Sequence, residues 1–595
     1  MPSPSPSDSG FVADQILDYL VLEGATRIFG IPGAGIATLL HRVKARPEFT
    51  YVVCRQESGA AYMADGYFRA TGKPGVVLVT SGPGATNALT GMMNAYFGGS
   101  AVLALTGEVP QGFLGRGYLQ EGTDCGLNVR DIFAAGTRYS ADIVTNAGAP
   151  ILIEQALRDM LSIPRRAVRL GISDNVAAMT VASSYSPRPP SSPADYRSAP
   201  GDAPAPADGV RQTLDALSAA KRPLILLGSG CREALRDPQT AHALRCLVEW
   251  WQIPVITTSD GKGVFPETHK LSLRAYGFAG CEWPQYWMIG QGGTAAHDAL
   301  LVVGSSLGEL ATYRWNPMLV PRGPFIQVDI DPSTIGRGFP VTAGVVAEAG
   351  AFFRALWDQA PAWPRNEKAV AARAADIAAI KANHSAVVSP DDYNSEASPL
   401  QPAALCRVLN TLLPDDAFVF IDCGNCVGWG LHCLIIDRQQ ECHASLAMGP
   451  MGFAVCGVVG ARFGRPDRLA VALVGDGAFL MHVAEVSTAA AHNVGAIWVV
   501  LADDDLGMVA QGMAMLFKDS GYDEAYSLGK PDIAKVAEGL GADVVDVNKP
   551  ADLQKVWPNV VGRANSGRPQ VIVAHVDPKA APPYWSPPYW QKTVD

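Results

Sequence analysis

The chain has 595 residues, 48% hydrophobic and 17% charged, with a net charge of −10; at roughly 100–200 residues per domain this means about three or four domains. Such a sparsely charged, apolar sequence excludes disorder over most of its length, because buried surface can offset the ordering entropy. The acidic balance, with no concentrated basic face, excludes a general nucleic-acid binder.

The 60 glycines point to many tight turns and close backbone approaches. Eleven cysteines is a cytosolic level of use rather than a disulfide framework. The opening MPSPSPSDSG lacks the basic and apolar regions of a signal peptide. From Pro74 to Gly107 no residue is charged, but Pro83 and several Gly, Ser and Asn residues break the stretch before any 18-residue apolar run forms. A soluble, cytoplasmic protein with no membrane partner is expected.

Residues 1–9 read as a disordered lead, and 10–180 as the first domain. Phe11–Glu23 has helical spacing, and Arg27–Gly30, Thr50–Cys54, Val76–Thr80 and Ala101–Thr106 read as strands. Between them lie predicted helices at Glu57–Thr71 and Asn87–Phe97, and turns at Pro32–Gly35 and Gly82–Gly84. Short apolar runs alternating with amphipathic helices signal a parallel sheet covered on both faces. Residues 181–208, rich in Pro, Ser and Ala, read as a linker.

A second α/β domain is expected over 209–365, with strands at Pro223–Leu227, Val255–Thr258, Ala299–Val303 and Phe325–Ile330. Residues 366–398 form a connection that begins as a helix. A third domain over 399–577 has strands at Ala417–Asp422, Leu469–Val474, Ala496–Ala502 and Val571–Val576. Residues 578–595 are a Pro-, Tyr- and Trp-rich tail, suited to packing over a surface or cleft. The fold class is therefore α/β: three consecutive doubly wound parallel-sheet domains.

The chemistry concentrates in the third domain. The strand Val471–Val474 delivers Gly475-Asp476-Gly477 to its carboxyl end, where open α/β sheets bind ligands. The glycines admit a phosphate close to the backbone, and the following helix presents a positive N-terminus. Asp503-Asp504-Asp505 arrives 27 residues on, at the end of the next apolar strand. Carboxylate, carbonyl and phosphate oxygens are what octahedral Mg²⁺ prefers. Asp476, Asp503 and Asp505 are the candidate metal ligands.

The run GDGAFLMHVAEVSTAAAHNVGAIWVVLADDDLGMV resembles thiamine diphosphate enzymes of the acetohydroxyacid synthase, pyruvate oxidase and 2-oxo acid decarboxylase superfamily. The likeness covers nearly the whole chain, in the order pyrimidine-binding, middle and diphosphate-binding domain. It implies thiamine diphosphate and Mg²⁺ as cofactors. Gly424, Asn425, Gly475, Asp476, Gly477 and Ala478 would face the cofactor at the third domain's strand ends. The family usually has Asn where Asp503 stands, so this chain adds a negative charge beside the diphosphate.

Arg55-Gln56-Glu57 precedes a helix, where a carboxylate also serves as a favourable N-terminal charge. The resemblance makes Glu57 the activating glutamate, bonded to the cofactor's pyrimidine N1′ for general acid–base catalysis. Met448-Gly-Pro-Met-Gly-Phe453 is similar to the family's GxMGF turn. There the Gly449 carbonyl meets the 4′-amino group and Met451 wedges between the cofactor's rings; spacing alone would read that Met as core filler. Gln120 matches the family's active-site glutamine and is expected to face the reacting carbonyl.

Other signals point less far. Cys423-Gly-Asn-Cys426 has no second CxxC to complete a zinc ribbon and opens into the candidate phosphate loop. In the middle domain, relatives use turns matching Gly228-Ser-Gly230, Ser259–Gly263, Gly304-Ser-Ser306 and Asp329-Ile-Asp331 for FAD or ADP, and others bind nothing. The synthases' Arg-Phe-Asp-Asp run is replaced by SSLGELATYRW. FAD stays open.

The resemblance implies carbon–carbon bond making or breaking on a small 2-oxo substrate, and an enzyme that is at least a homodimer, with a homotetramer as the first expectation. Ala510-Gln511-Gly512 replaces the synthases' Arg-Gln-Trp, removing an aromatic wall and a cation. An acceptor larger than pyruvate, or uncharged, is therefore expected. A decarboxylase, a 2-hydroxyacyl-CoA lyase, a cyclic-dione hydrolase and a catalytically silent scaffold are the alternatives.

Overall fold

A computed structural model describes residues 10–122, 127–181, 190–198, 203–290, 293–437, 439–517 and 523–584. The lead at 1–9, much of the linker and the tail beyond 584 lie outside the described residues. Three six-stranded sheets follow one another along the chain, every recorded strand pairing within them parallel.

The first sheet contains β1 (Arg27–Gly30), β2 (Thr50–Val53), β3 (Gly75–Val79), β4 (Val102–Glu108), β5 (Ser140–Ile143) and β6 (Val168–Ser173). Its order is β2-β1-β3-β4-β6-β5. The second contains β7 (Pro223–Leu227), β8 (Val255–Thr258), β9 (Ser272–Tyr276), β10 (Ala299–Val303), β11 (Phe325–Asp329) and β12 (Ala343–Val346). Its order, β12-β11-β10-β7-β8-β9, reverses at β10/β7, the dinucleotide-fold arrangement with its ligand crevice at the reversal.

The third contains β13 (Phe418–Ile421), β14 (Glu441–Ala444), β15 (Ala470–Gly475), β16 (Ile497–Ala502), β17 (Asp543–Val547) and β18 (Gln570–His575). Its order, β14-β13-β15-β16-β18-β17, repeats that of the first sheet strand for strand.

The inner faces of the first and third sheets share one hydrophobic core, in which Phe29, Tyr62 and Met63 meet Phe420, Phe453 and Trp498. Two helices cross at its centre: Glu57–Thr71 and Phe453–Gly464. Glycines let their backbones touch. A Cβ on Gly66 would stand 2.1 Å from the Gly457 carbonyl oxygen, and one on Gly460 would stand 1.9 Å from that of Met63. The middle domain has its own core around Trp251, Trp287 and Phe352.

Several segments differ from the sequence expectation. The helix expected at Asn87 begins at Pro83, whose fixed φ and missing N–H suit a first helical turn. Within the linker, Tyr196 is buried and meets the Tyr19 ring edge-on at 5.3 Å, while Arg197 pairs with Glu23 at 2.6 Å. The connection after the middle domain is helical over Glu367–Asn383, as its composition suggests.

Candidate active site

The carboxyl ends of the first and third sheets carry the site residues in two groups. In the first domain, β2 leads into Gln56, whose side chain accepts the Gly59 N–H at 3.1 Å and caps the helix Glu57–Thr71. Glu57 is only 9% exposed, and Asn87 Nδ2 donates to its Oε2 at 3.1 Å. Beside it lies the turn Gly82-Pro83-Gly84; a Cβ on Gly84 would stand 3.7 Å from Glu57 Oε1. Across the same turn sits Gln120, with φ of 62° and its carbonyl 3.0 Å from where a Gly82 Cβ would be. The structure thus brings Glu57 and Gln120 to one end of one domain, and Gln120 is exposed.

In the third domain, β13 ends at Asp422, followed by Gly424 (φ 120°) and Asn425, which opens the helix Asn425–Cys433. Asp422 is taken up structurally. Its carboxylate accepts the backbone N–H groups of Cys423, Gly452 and Ala454, each at 2.8 Å, and of Val455 at 3.3 Å. Burial still pushes this carboxyl up to about 6, against the pull of those four donors. The capping holds the turn that carries Gly449 and Met451, with Gly449 at φ 67° and Gly452 at φ 97°.

From β15, Gly475 leads into the helix Asp476–His482, which includes Gly477 and Ala478. Asp476 Oδ1 accepts the Gly477 N–H at 2.8 Å, and its Oδ2 accepts those of Asp503 and Asp504 at 3.1 and 2.8 Å. Met451 reaches this loop, its Cε 3.3 Å from where a Gly477 Cβ would be. Asp503 and Asn425 converge at Gly507, whose Cβ would lie 2.7 Å from Asp503 Oδ2 and 2.8 Å from Asn425 Nδ2. Asp505 donates its N–H to Asp503 Oδ1 at 3.3 Å.

Among the described residues, no three His, Cys, Asp or Glu side chains gather into a metal-holding cluster. Asp476 and Asp503 come together; Asp505 adjoins them through its backbone. Burial pushes the carboxyls of both up, Asp476 to about 6 and Asp503, with Asp476 beside it, to about 7. Two hard oxygen donors on adjoining loops, joined by the Asp503 N–H to Asp476, suit a divalent cation that keeps further ligands from a bound phosphate.

A cavity of about 220 Å³ opens against these loops, lined by Asp422, Cys423, Ser445, Gly449, Pro450 and Phe453 among others. Phe278, Leu310 and Met508 also line it. Sequence reasoning passed over Phe278 and Leu310, which belong to the middle domain and carry no polar signal. It also left the tail's role open. Tyr584 stacks on Phe278 at 5.2 Å, its hydroxyl donates to Asn425 Oδ1, and Gln511 Nε2 donates to the Ala580 carbonyl at 3.0 Å.

A larger cavity, about 550 Å³, lies at the β10/β7 reversal where the three domains meet. Its lining includes Ser229, Gly230, Gly304, Ser306, Asp329 and Asp331, the middle-domain turns singled out in the sequence.

Comparison with known proteins agrees with this geometry. Residues 11–127 match the model of the thiamine pyrophosphate enzyme N-terminal TPP binding domain, 210–356 the central domain and 422–574 the C-terminal TPP binding domain. The chain is 29% identical to the putative acetolactate synthase large subunit of Mycobacterium tuberculosis, over 91% of this chain and 94% of that one. It is 25% identical to the acetolactate synthase isozyme 1 large subunit of Escherichia coli, over 95% and 94%. It is 27% identical to a putative thiamine pyrophosphate-containing protein of Bacillus subtilis, over 92% and 88%. With all three domains matched in order along it, the chain belongs to the thiamine pyrophosphate enzymes, in the acetohydroxyacid synthase and pyruvate oxidase superfamily.

Proposed function

We propose that this enzyme, using thiamine diphosphate (the same compound as thiamine pyrophosphate) and Mg²⁺, makes or breaks a carbon–carbon bond beside the carbonyl of a 2-oxo compound. It would join the resulting acyl unit to an acceptor that is larger than pyruvate or uncharged. One observation from this chain's part of the site supports the acceptor reading: among the described residues lining the 220 Å³ cavity there is no Lys, Arg or His. Phe278, Leu310 and Met508 are part of that lining. These side chains favour apolar surface, and this copy's lining brings no cation for a second carboxylate.

When bound, the cofactor supplies a carbon nucleophile and an electron sink. The chain's own residues do the rest. Glu57 holds a proton at the pyrimidine N1′, in a buried setting steadied by Asn87. Asp476 and Asp503 would hold Mg²⁺, with Gly475, Gly477, Gly424 and Asn425 leaving room for the diphosphate. Met451 and Gly449 would shape the cofactor, and Gln120 would orient the carbonyl.

Among the described residues, none from the first domain lines the 220 Å³ cavity. We therefore read Glu57 and Gln120 as residues that would serve a cofactor held by another copy, in a homodimer or a dimer of such dimers. The crevice at the β10/β7 reversal would be the place for a nucleotide; flavin absorbance that survives desalting would identify FAD there, and colourless protein would exclude it.

A panel of 2-oxo acids, diketones and acyl-CoAs, scored for both CO₂ and ligation products, tests the reading. Ligation to an apolar or bulky acceptor is expected. Exclusive, efficient acetolactate formation from pyruvate refutes the acceptor assignment, and CO₂ release without ligation identifies a decarboxylase.

A further inference from the structure

The segment after the Asp476 loop reaches back to the first domain at the two residues before Glu57. Glu485 is only 1% exposed. Its Oε1 accepts the backbone N–H groups of both Arg55 and Gln56 at 3.0 Å, while Thr488 Oγ1 donates to its Oε2 at 2.6 Å. The contact needs a bare backbone opposite, since a Cβ on Gly59 would stand 2.5 Å from that same Oε1. Two neighbouring bonds brace it: Arg55 Nε donates to Ser487 Oγ at 2.9 Å, and Ser58 Oγ pairs with His482 Nε2 at 3.0 Å.

We infer that Glu485 is a positioning residue for Glu57: its carboxylate pins the two N–H groups ahead of the helix Glu57–Thr71 and so sets where the Glu57 carboxylate stands. The inference rests on the role proposed above for Glu57. A buried acceptor shared by two consecutive N–H groups fixes both the direction and the depth of the helix entry. Removing it leaves Arg55 and Gln56 to seek water at the mouth of the site, and the helix start loosens. A misplacement of about 1 Å at a reacting group is enough to slow catalysis by about two orders of magnitude.

Glu485→Ala, Glu485→Gln and Gly59→Ala test this with three readouts. These are amide-hydrogen exchange over residues 53–60 in cofactor-free protein, C2-proton exchange of thiamine diphosphate at saturating cofactor and Mg²⁺, and cofactor affinity. Glu485→Ala should raise amide exchange and slow C2 exchange, each by about tenfold or more, with affinity within roughly threefold because the third domain holds the diphosphate. Glu485→Gln should preserve all three, since its side-chain carbonyl still accepts both N–H groups. Gly59→Ala, which displaces Oε1 and leaves Glu485 in place, should reproduce the alanine variant and decides the matter where that variant does not fold. Wild-type C2 exchange in Glu485→Ala, or equal damage in Glu485→Gln, overturns the inference. If the wild-type chain itself does not accelerate C2 exchange, the cofactor role of Glu57 falls instead, and amide exchange alone then decides the Glu485 contact.

Discussion

Gly460→Ala probes the crossing on which the shared core depends. The new Cβ would stand 1.9 Å from the Met63 carbonyl oxygen, about 1.5 Å short of ordinary contact, and the obstacle is backbone rather than a movable side-chain end. Overpacking of this kind costs about 1–3 kcal/mol. The helix that must move carries both Met63 and Glu57. Any outward shift therefore registers twice, in stability and in C2-proton exchange, where a displacement of about 1 Å slows the rate roughly a hundredfold. Gly562→Ala is the control: it also lies within a helix, Pro550–Asn565, but its Cβ would meet nothing within 4 Å. It should stabilise by about 0.5–1 kcal/mol through lost unfolded-state freedom. Urea unfolding followed by tryptophan fluorescence reads both variants. Equal midpoints for Gly460→Ala and wild type would show that the helices do not meet at this contact.

Other substitutions separate the site's parts. Glu57→Gln should keep cofactor binding and lose most activity, and turnover like that of wild type would remove Glu57 from its assigned role. Asp503→Asn takes a negative charge from beside the diphosphate and should tighten cofactor binding at saturating Mg²⁺. A loss of tenfold, about 1.4 kcal/mol, would show that the site is built around the carboxylate. Glu108, 2% exposed, accepts the Gly122 N–H at 3.3 Å beneath the loop that carries Gln120. Burial, opposed by Arg169, pushes its carboxyl up to about 7. The folded state then holds this proton more tightly than the unfolded chain, so stability is greatest below the ordinary glutamate value and falls as pH rises toward 7. Glu108→Gln removes that loss, and its unfolding free energy relative to wild type should rise by about 2 kcal/mol from about pH 5 to 8. Parallel pH profiles would refute this.

Central strands could be read from sequence because burial on both faces leaves continuous apolar runs, as in Leu224–Leu227 and Val471–Val474. Among the described edge strands β2 was legible and the others were not. β14 reads Glu-Cys-His-Ala and β17 Asp-Val-Val-Asp-Val, with Glu441 paired to Arg468 and Asp543 to Arg563 and Arg568. β6, fully buried, was hidden by Arg169, whose charge is met inside by Asp142 at 2.6 Å. The motif loops were visible because glycine and aspartate at strand ends carry their own chemistry. Phe278, Leu310, Tyr584 and Glu485 were not, because each matters through what distant chain segments bring beside it.

The repeated strand order explains why the chemistry falls where it does. In the first domain, the loop after β2 supplies Glu57, the loop after β3 supplies Gly82-Pro83-Gly84, and the loop after β4 supplies Gln120. In the third, the loop after β13 supplies Gly424 and Asn425, and the corresponding loops after β14, β15 and β16 supply Gly449 with Met451, Gly475-Asp476-Gly477, and Asp503. The two crossing helices occupy the same place in the two orders, each between the second and third strands of its domain. Packing them glycine to glycine sets the two carboxyl-end surfaces relative to each other as rigidly as a core allows. In the proposed homodimer each copy would then offer its third domain to hold a diphosphate and a cation, and its first domain to place a carboxylate for the other copy. Their division of labour follows from the same backbone carrying different residues at equivalent strand ends.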